Sequence, residues 1–426
     1  MRVTPPTSAA AGRALSAARL LLRLRGAPEP QPLYDQLRAL GPVVAVPWLR
    51  SLLVTGHAEC RRALRDPVFA LPDAGWRDPV FALPDAGWRD RRVPGWRGHQ
   101  SVVDLNNGLL TLNPPRRTAV RGALAASASR QAVDELRPRI AEFTEQCLDD
   151  VARVLRHDGT ADLVALLADP LPARAVCAWL DLPVADAPRL AALTRRHACL
   201  HELSPTQAQL RDADSAAEEF KDYFLPLIGQ RAHRPGADAL SRLVGGSGGR
   251  AAGLTSYDVA VNAATLFVAG FETTATMITS LARAVIEEPG FADRLRAAPE
   301  HVPAAVEEII RRNPSAAVVS RVATRDCRLG GATVPKDQLL HLLLPAANRD
   351  PAAAGQPHLS FGAGIHYCLG ARLARLELTT LLPRLLDRLP RMRLAAPPAA
   401  PRGLVLPHPP RLLVTADQPL SKAPPR

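Results

Sequence analysis

At 426 residues with 47% hydrophobic side chains, the chain has ample apolar material for a large core and an enclosed pocket. Its formal charge of +12 is carried almost wholly by arginine, with lysine only at positions 221, 336 and 422. The basic residues are dispersed and aromatics total 4%, so no nucleic-acid face is expected. No apolar run approaches membrane-spanning length and no cysteine pair has C-x-x-C spacing, which argues against stable membrane insertion, structural zinc and a disulfide framework; a cytoplasmic location is expected.

In chain order, an N-terminal extension of about 30 residues holds a basic amphipathic segment, Arg13 to Arg25, expected as a surface helix packing onto the domain. Its arginines interrupt any signal-peptide core. Short β patterns follow near Pro42–Val46 and Leu52–Thr55. The twelve residues Arg65–Trp76 are then repeated without change as Arg77–Trp88; a single perfect copy at 65–88 is a tandem duplication and not a solenoid. Helical periodicity fills about 115–155, 171–200, 207–230, 255–288, 300–312 and 369–388, with further β patterns at Cys327–Val334 and Leu404–Val414 and a Pro-rich tail at about 417–426. The longest helix is predicted to start at a capping box, Thr255 with Asp258, and to end at Pro289-Gly290. No linker divides the chain, so residues 1–426 are expected to form a single domain, mainly α with small β-sheets.

Three motifs carry chemistry. The longest helix contains Ala269-Gly270-Phe271-Glu272-Thr273-Thr274, and a carboxylate beside two hydroxyls is costly to bury in such an apolar stretch. It reads either as proton delivery or as a solvated Glu with Thr bonding back to its own helix. Further on, Glu308 and Arg311 of an E-x-x-R motif lie on one helical face and are predicted to pair. Last comes Phe361-Gly362-Ala363-Gly364-Ile365-His366-Tyr367-Cys368-Leu369-Gly370, which places Cys368 in a glycine-punctuated loop opening into a helix. Glycines 362, 364 and 370 are expected to permit positive φ and close approach to a flat ligand, while backbone N–H groups at the helix start favour a thiolate. The pattern fixes six positions, a chance on the order of 10⁻⁸ per starting residue. Cys60, Cys147, Cys177, Cys199 and Cys327 show no such context and read as small buried hydrophobes.

The cysteine loop resembles the haem-binding loop of the cytochromes P-450, and the order of acid–alcohol helix, E-x-x-R and cysteine loop is that family's. The resemblance implies the cytochrome P-450 fold, with a long central helix over haem b and the cysteine loop beneath. It implies Cys368 as the iron ligand, with Phe361, Gly362 and Gly370 shaping the cofactor loop. Arg117, Arg121, Arg321 and His366 match the positions that hold the haem propionates; Gly270 leaves room for dioxygen, and Glu272 and Thr273 deliver protons. The implied activity is that of a soluble bacterial-type haem-thiolate monooxygenase hydroxylating or epoxidising a small organic substrate of secondary metabolism, with electrons from ferredoxin and ferredoxin reductase. Two alternatives stay open: oxidative coupling or peroxide-driven oxidation on the same haem, and a haem-free helper subunit.

Candidate pocket residues by the same resemblance are Leu266, Ala269, Ala316–Val319 and Leu404, and the duplication precedes the loop over the haem's distal face. Two departures stand out. Arg117 occupies a position where the family usually carries histidine. Only residues 351–360 join Asn348-Arg349-Asp350 to Phe361, where the family has a longer meander with an aromatic and arginine segment that joins the Glu308–Arg311 pair, so weaker support of the haem-side core is expected.

Overall fold

The computed structural model describes residues 8–47, 50–72, 95–202, 205–245, 253–389 and 392–416. Most of the duplicated stretch, from residue 73 onward, and the tail at 417–426 lie outside the described residues.

Helices dominate. We label α1 (Ser8–Leu24), α2 (Gln31–Ala39), α3 (His57–Arg65), α4 (Gln100–Asn107), α5 (Arg116–Leu124), α6 (Arg137–Asp158), α7 (Pro170–Leu180), α8 (Ala187–His197), α9 (Gln207–His233), α10 (Ser256–Glu287), α11 (Val302–Arg312) and α12 (Ala371–Arg388). The capping box forms as expected: Thr255 Oγ1 accepts from the Asp258 N–H at 3.1 Å and the Asp258 carboxylate accepts from the Thr255 N–H at 3.0 Å, so α10 begins where two otherwise orphaned donors are satisfied. Two expected helices are broken. The stretch 115–155 divides because Ser129 caps a new short helix, Arg130–Asp134, and Pro138 opens α6. The stretch 171–200 divides at Asp181, which ends α7 in the left-handed region at φ 53°.

The main sheet has five strands in the order β1 (Val43–Val46), β2 (Ser51–Val54), β8 (Leu339–Leu343), β5 (Val318–Ala323), β3 (Phe69–Ala70). β2 and β8 run parallel, pairing Leu53 with His341, and the other neighbours are antiparallel. The β pattern read over Cys327–Val334 folds as an antiparallel hairpin of β6 (Cys327–Leu329) and β7 (Ala332–Val334). A second sheet joins β4 (Thr160–Asp162), β10 (Leu413–Ala416) and β9 (Met392–Leu394). The pattern read over Leu404–Val414 becomes strand only at its end. Residues 402–412 instead form an irregular loop pinned by a two-way backbone bridge between Arg402 and His408, at 2.9 Å each way.

α10 runs through the apolar core. Its first half shares a cluster with α7, α8 and α9 through Phe267, Phe271, Val176 and Phe220, and its second half shares one with α6, α11 and α12 through Met277, Ile278, Leu281 and Leu381. α1 is held by Ala17, Leu20 and Leu24 in a third cluster that also contains Val318, Leu343 and Leu404. That cluster places the end of α1 beside the sheet face and the C-terminal loop.

Candidate active site

The cysteine loop leaves the sheet region at Leu359 and closes on itself before α12. The Gly362 N–H donates to Leu359 O at 2.8 Å and the Cys368 N–H donates to Phe361 O at 2.9 Å. Gly362 and Gly364 adopt φ values of 70° and 68°, as expected. At Gly364 a Cβ would also stand 2.8 Å from Leu64 O, so the loop lies hard against the end of α3. Gly370 departs from the expectation: at φ −82° it is the residue preceding α12, in a conformation open to any residue. Its backbone N–H and that of Ala371 donate to the Cys368 sulfur. Burial pushes the thiol up, and these two N–H groups together with the Arg121 and Arg375 charges pull it back toward thiolate. Cys368 is enclosed by protein and yet its side chain is exposed, so it faces open internal space in place of packed atoms.

Three arginines and a histidine gather near this loop. Arg117 and Arg121 lie one turn apart on α5, Arg321 comes from β5, and His366 belongs to the loop itself. Arg117 is buried and donates to Ile365 O at 2.9 and 3.2 Å and to Leu109 O at 2.8 Å, so it braces the cysteine loop. Arg321 is 2% exposed; it donates to Ser320 O at 2.8 Å and its Nε has no partner. None of the three arginines forms a salt bridge among the described residues. Burial first, and then mutual repulsion, lowers Arg117 and Arg321 to about 10 each and His366 to about 3. Three arginines and a histidine without an acid are costly to assemble unless an anion joins them. The two propionates of haem fit that requirement, and a flat macrocycle fits the glycine loop with its exposed sulfur.

On α10, otherwise buried through its middle, partial exposure recurs at Ala264, Thr265, Ala269, Gly270, Glu272 and Thr273, of which Thr265, Ala269, Glu272 and Thr273 share one side of the helix. Thr273 Oγ1 donates to Ala269 O at 2.7 Å, the back-bonding that a mid-helix threonine makes when nothing else claims its hydroxyl. Glu272 is not on a solvated face: it lines a cavity of about 860 Å³, one carboxyl oxygen is buried without a partner, and burial followed by repulsion from Glu202 raises it to about 7. Gly270 has a structural explanation of its own, since a Cβ there would stand 2.7 Å from Val176 Cγ2, and the missing side chain lets α7 and α10 approach.

The cavity lies between α8, α9, α10, the sheet, the 402–410 loop and the end of α1. Of the expected pocket residues, Val318 and Leu404 line it; Leu266, Ala269, Ala316, Ala317 and Val319 do not, with Leu266 and Ala317 in the packed core. Sequence reasoning missed its polar wall. Asp169, which pairs with Arg195, and Glu202 sit just outside the helical stretches, at positions with nothing local to mark them.

The short segment before the loop is closed by a compact set of hydrogen bonds. Asn348 Oδ1 accepts from the Leu359 N–H at 2.7 Å, and its Nδ2 donates to Arg311 O at 3.0 Å and Ser360 Oγ at 2.8 Å. Arg311 clasps Glu308 at 2.5 and 2.6 Å, as expected, and donates to Asn348 O at 2.6 Å. Ser360 Oγ in turn donates to Ile310 O at 2.7 Å. Beside it Glu307, the unremarked neighbour of the motif, takes Arg375 at 2.6 and 2.9 Å and His358 at 3.1 Å. Burial alone would raise this acid, but those bonds hold it down at about 2. The Arg375 guanidinium also lies 4.4 Å over the Phe361 ring. The E-x-x-R helix is therefore tied to both ends of the cysteine loop without the missing meander.

A cysteine loop with a cradled sulfur, three arginines without a carboxylate partner among the described residues and a long helix with an acid–alcohol pair fit a haem-thiolate class of protein. Comparison with known proteins agrees. The cytochrome P450 family model matches residues 205–357, ending inside the shortened segment. Cytochrome P450 monooxygenase PikC of Streptomyces venezuelae is 32% identical over 392 residues, covering 87% of this chain and 86% of that one. Pentalenic acid synthase of Streptomyces avermitilis is 33% identical over 384 residues, 87% and 89% of the two chains. The ligand-free crystal structure of Mycobacterium smegmatis CYP164A2 superposes with a TM-score of 0.78 at 29% identity, covering 95% of this chain and all of that one. The chain belongs to the cytochrome P450 family. It is a haem-iron oxidoreductase of the monooxygenase type. No described helix is long and apolar enough to cross a membrane.

Proposed function

We propose that Cys368 would supply the thiolate ligand of the haem iron, that Arg117, Arg121, Arg321 and His366 would hold the propionates, and that Glu272 and Thr273 would deliver protons during oxidation of a substrate that enters by the 860 Å³ cavity, whose wall includes Glu272. The observation that carries this reading is the acid-free cluster of cations beside an exposed, N–H-cradled cysteine. Bound haem supplies dioxygen activation and oxygen-atom transfer, with the thiolate favouring O–O cleavage.

The protein's own part is arrangement. Gly370 and Ala371 steady the sulfur, Phe361 and Gly362 shape the loop around it, and Arg117 fixes the loop's outer wall through Ile365 O. Thr273 exchanges its Ala269 O acceptor for a hydrogen bond into the open face of α10, and Glu272, poised near neutrality, passes protons inward from the cavity. Gly270 serves mainly the α7–α10 contact and leaves that face uncrowded. The products are hydroxylated or epoxidised small organic molecules, and relatives named for monooxygenase and epoxidase activities support a place in secondary metabolism.

A cytoplasmic ferredoxin with its reductase is the proposed electron source. Exposed Ile365 and Tyr367 on the cysteine loop, beside Arg61, Arg62 and Arg65 of α3, form an apolar spot with a basic border suited to a small acidic protein. The test is the absorption spectrum of the reduced protein under carbon monoxide. A strongly red-shifted Soret band is expected and should vanish in Cys368→Ser; absence of any haem band after supplementation would reject the assignment.

A further inference from the structure

The wall of the large cavity changes character from its buried end to its mouth. The inner lining is apolar around Leu53, Val318, Leu343 and Leu404, and the acids along it are engaged or discharged. Asp169 is paired with Arg195. Glu202 accepts the backbone N–H groups of Leu404, Val405 and Leu406 at 2.9, 3.2 and 3.4 Å, using its charge to hold the C-terminal loop. Glu272 is raised to about 7, chiefly by burial, and so is substantially protonated near neutrality.

The mouth differs. Arg25, just past the end of α1, and Arg402, on the C-terminal loop, are both exposed lining residues, and neither has a carboxylate partner among the described residues. Arg402 is not on a loose tether: its backbone is bridged both ways to His408, and the next residue, Gly403, sits at φ +87° with Glu202 Oε1 2.5 Å from where a Cβ would stand. Leu22 of α1, which lines the same cavity, is 65% exposed and gives the mouth an apolar sill.

We propose that this cavity selects an amphiphile, an apolar body with a carboxylate at one end, whose body fills the inner lining and whose charge docks between Arg25 and Arg402. The inference rests on the oxygenase reading above and adds the substrate class; α1 and the C-terminal loop become specificity elements. Charge supplies the choice of ligand and the apolar wall supplies most of the affinity.

The test is calorimetric titration of the holoenzyme with dodecanoate, dodecanol and dodecyltrimethylammonium at low and high salt, with the carbon monoxide spectrum recorded on the same preparation. Dodecanoate should bind roughly ten-fold more tightly than dodecanol at low salt, the sum of two exposed ion pairs, and the preference should shrink at high salt. Arg25→Gln combined with Arg402→Gln should equalise the two while leaving dodecanol binding and the spectrum unchanged. Both side chains are exposed, so the fold should tolerate the change; Arg25→Lys with Arg402→Lys should restore part of the preference. Equal binding of acid and alcohol, tighter binding of the cation, or no binding of any probe would overturn the proposal. Since calorimetry reads the mouth whether or not the shifted Soret band is present, a missing band would count against the haem assignment alone.

Discussion

Glu272 and Thr273 show how a residue's meaning depends on its surroundings. Thr273→Ala removes a hydroxyl that now bonds Ala269 O and one methyl of a partly exposed side chain, so folding should be little changed while electron consumption separates from product formation, with hydrogen peroxide released in place of product. Unchanged coupling would remove Thr273 from proton delivery. Glu272 carries a pH signature of its own. Its folded value, about 7, lies above the ordinary glutamate value of 4.5, so its contribution to stability is complete below pH 4.5 and is lost as the pH rises through 7. Glu272→Gln should therefore gain on the native protein across that window, by about 1–3 kcal/mol, and hold a constant lead above it, as read by denaturant unfolding at a series of pH values. A lead independent of pH would mean the acid is not the buried, protonated group described. The acid–alcohol pair was visible in the chain because hydrophilic side chains in an apolar helix are conspicuous. The cavity that gives Glu272 its high value was not, because Glu202, Asp169 and Arg195 come from segments up to about a hundred residues away.

Among the elements, two contacts decide how α10 and the cysteine loop are held. Gly270→Ala should destabilise the protein by about 1–3 kcal/mol, because the new methyl meets Val176 Cγ2 at 2.7 Å, and Val176→Ala should recover much of that loss. Additive losses in the double variant would show that the glycine answers to something other than α7. Asn348→Ala severs three side-chain hydrogen bonds joining α11 to the start of the cysteine loop and should cost about 2–4 kcal/mol, with faster haem loss on transfer to apomyoglobin. Intact haem retention would locate the support elsewhere. The E-x-x-R spacing already predicted the Glu308–Arg311 pair, since both ends lie within one turn. The short 351–360 segment was legible only as a deficit; its replacement by Asn348, Ser360 and the Glu307–Arg375–His358 cluster needs partners from α11, α12 and the loop that no local pattern brings together.

Taken whole, the molecule gathers buried positive charge around a site that only an anion completes. Haem should therefore raise the unfolding temperature in proportion to the logarithm of its free concentration, as any ligand of the native state does. Arg321→Met should weaken haem binding by at least ten-fold while leaving the haem-free protein no less stable, because the buried guanidinium has no acid to lose and a repulsion from Arg117 to shed. A haem-free protein destabilised by that change would assign Arg321 to the fold and not to the cofactor.

The chain by itself determined the family, the cysteine loop, the order of the motifs and the boundaries of α9, α10, α11 and α12, because each rests on periodicity or on residues within a few positions of one another. It misjudged the conformation of Gly370 and the β pattern before Leu413, and of the expected pocket residues Val318 and Leu404 line the 860 Å³ cavity. Only the tertiary structure decided which cations converge, that Gly270 serves a helix contact, how a shortened connection is closed, and that the end of α1 stands at the mouth of the cavity. Those outcomes are set by charge, burial and close packing between residues as far apart as Arg117 and Arg321 or Val176 and Gly270, and such energies exist only once the fold has brought the partners together.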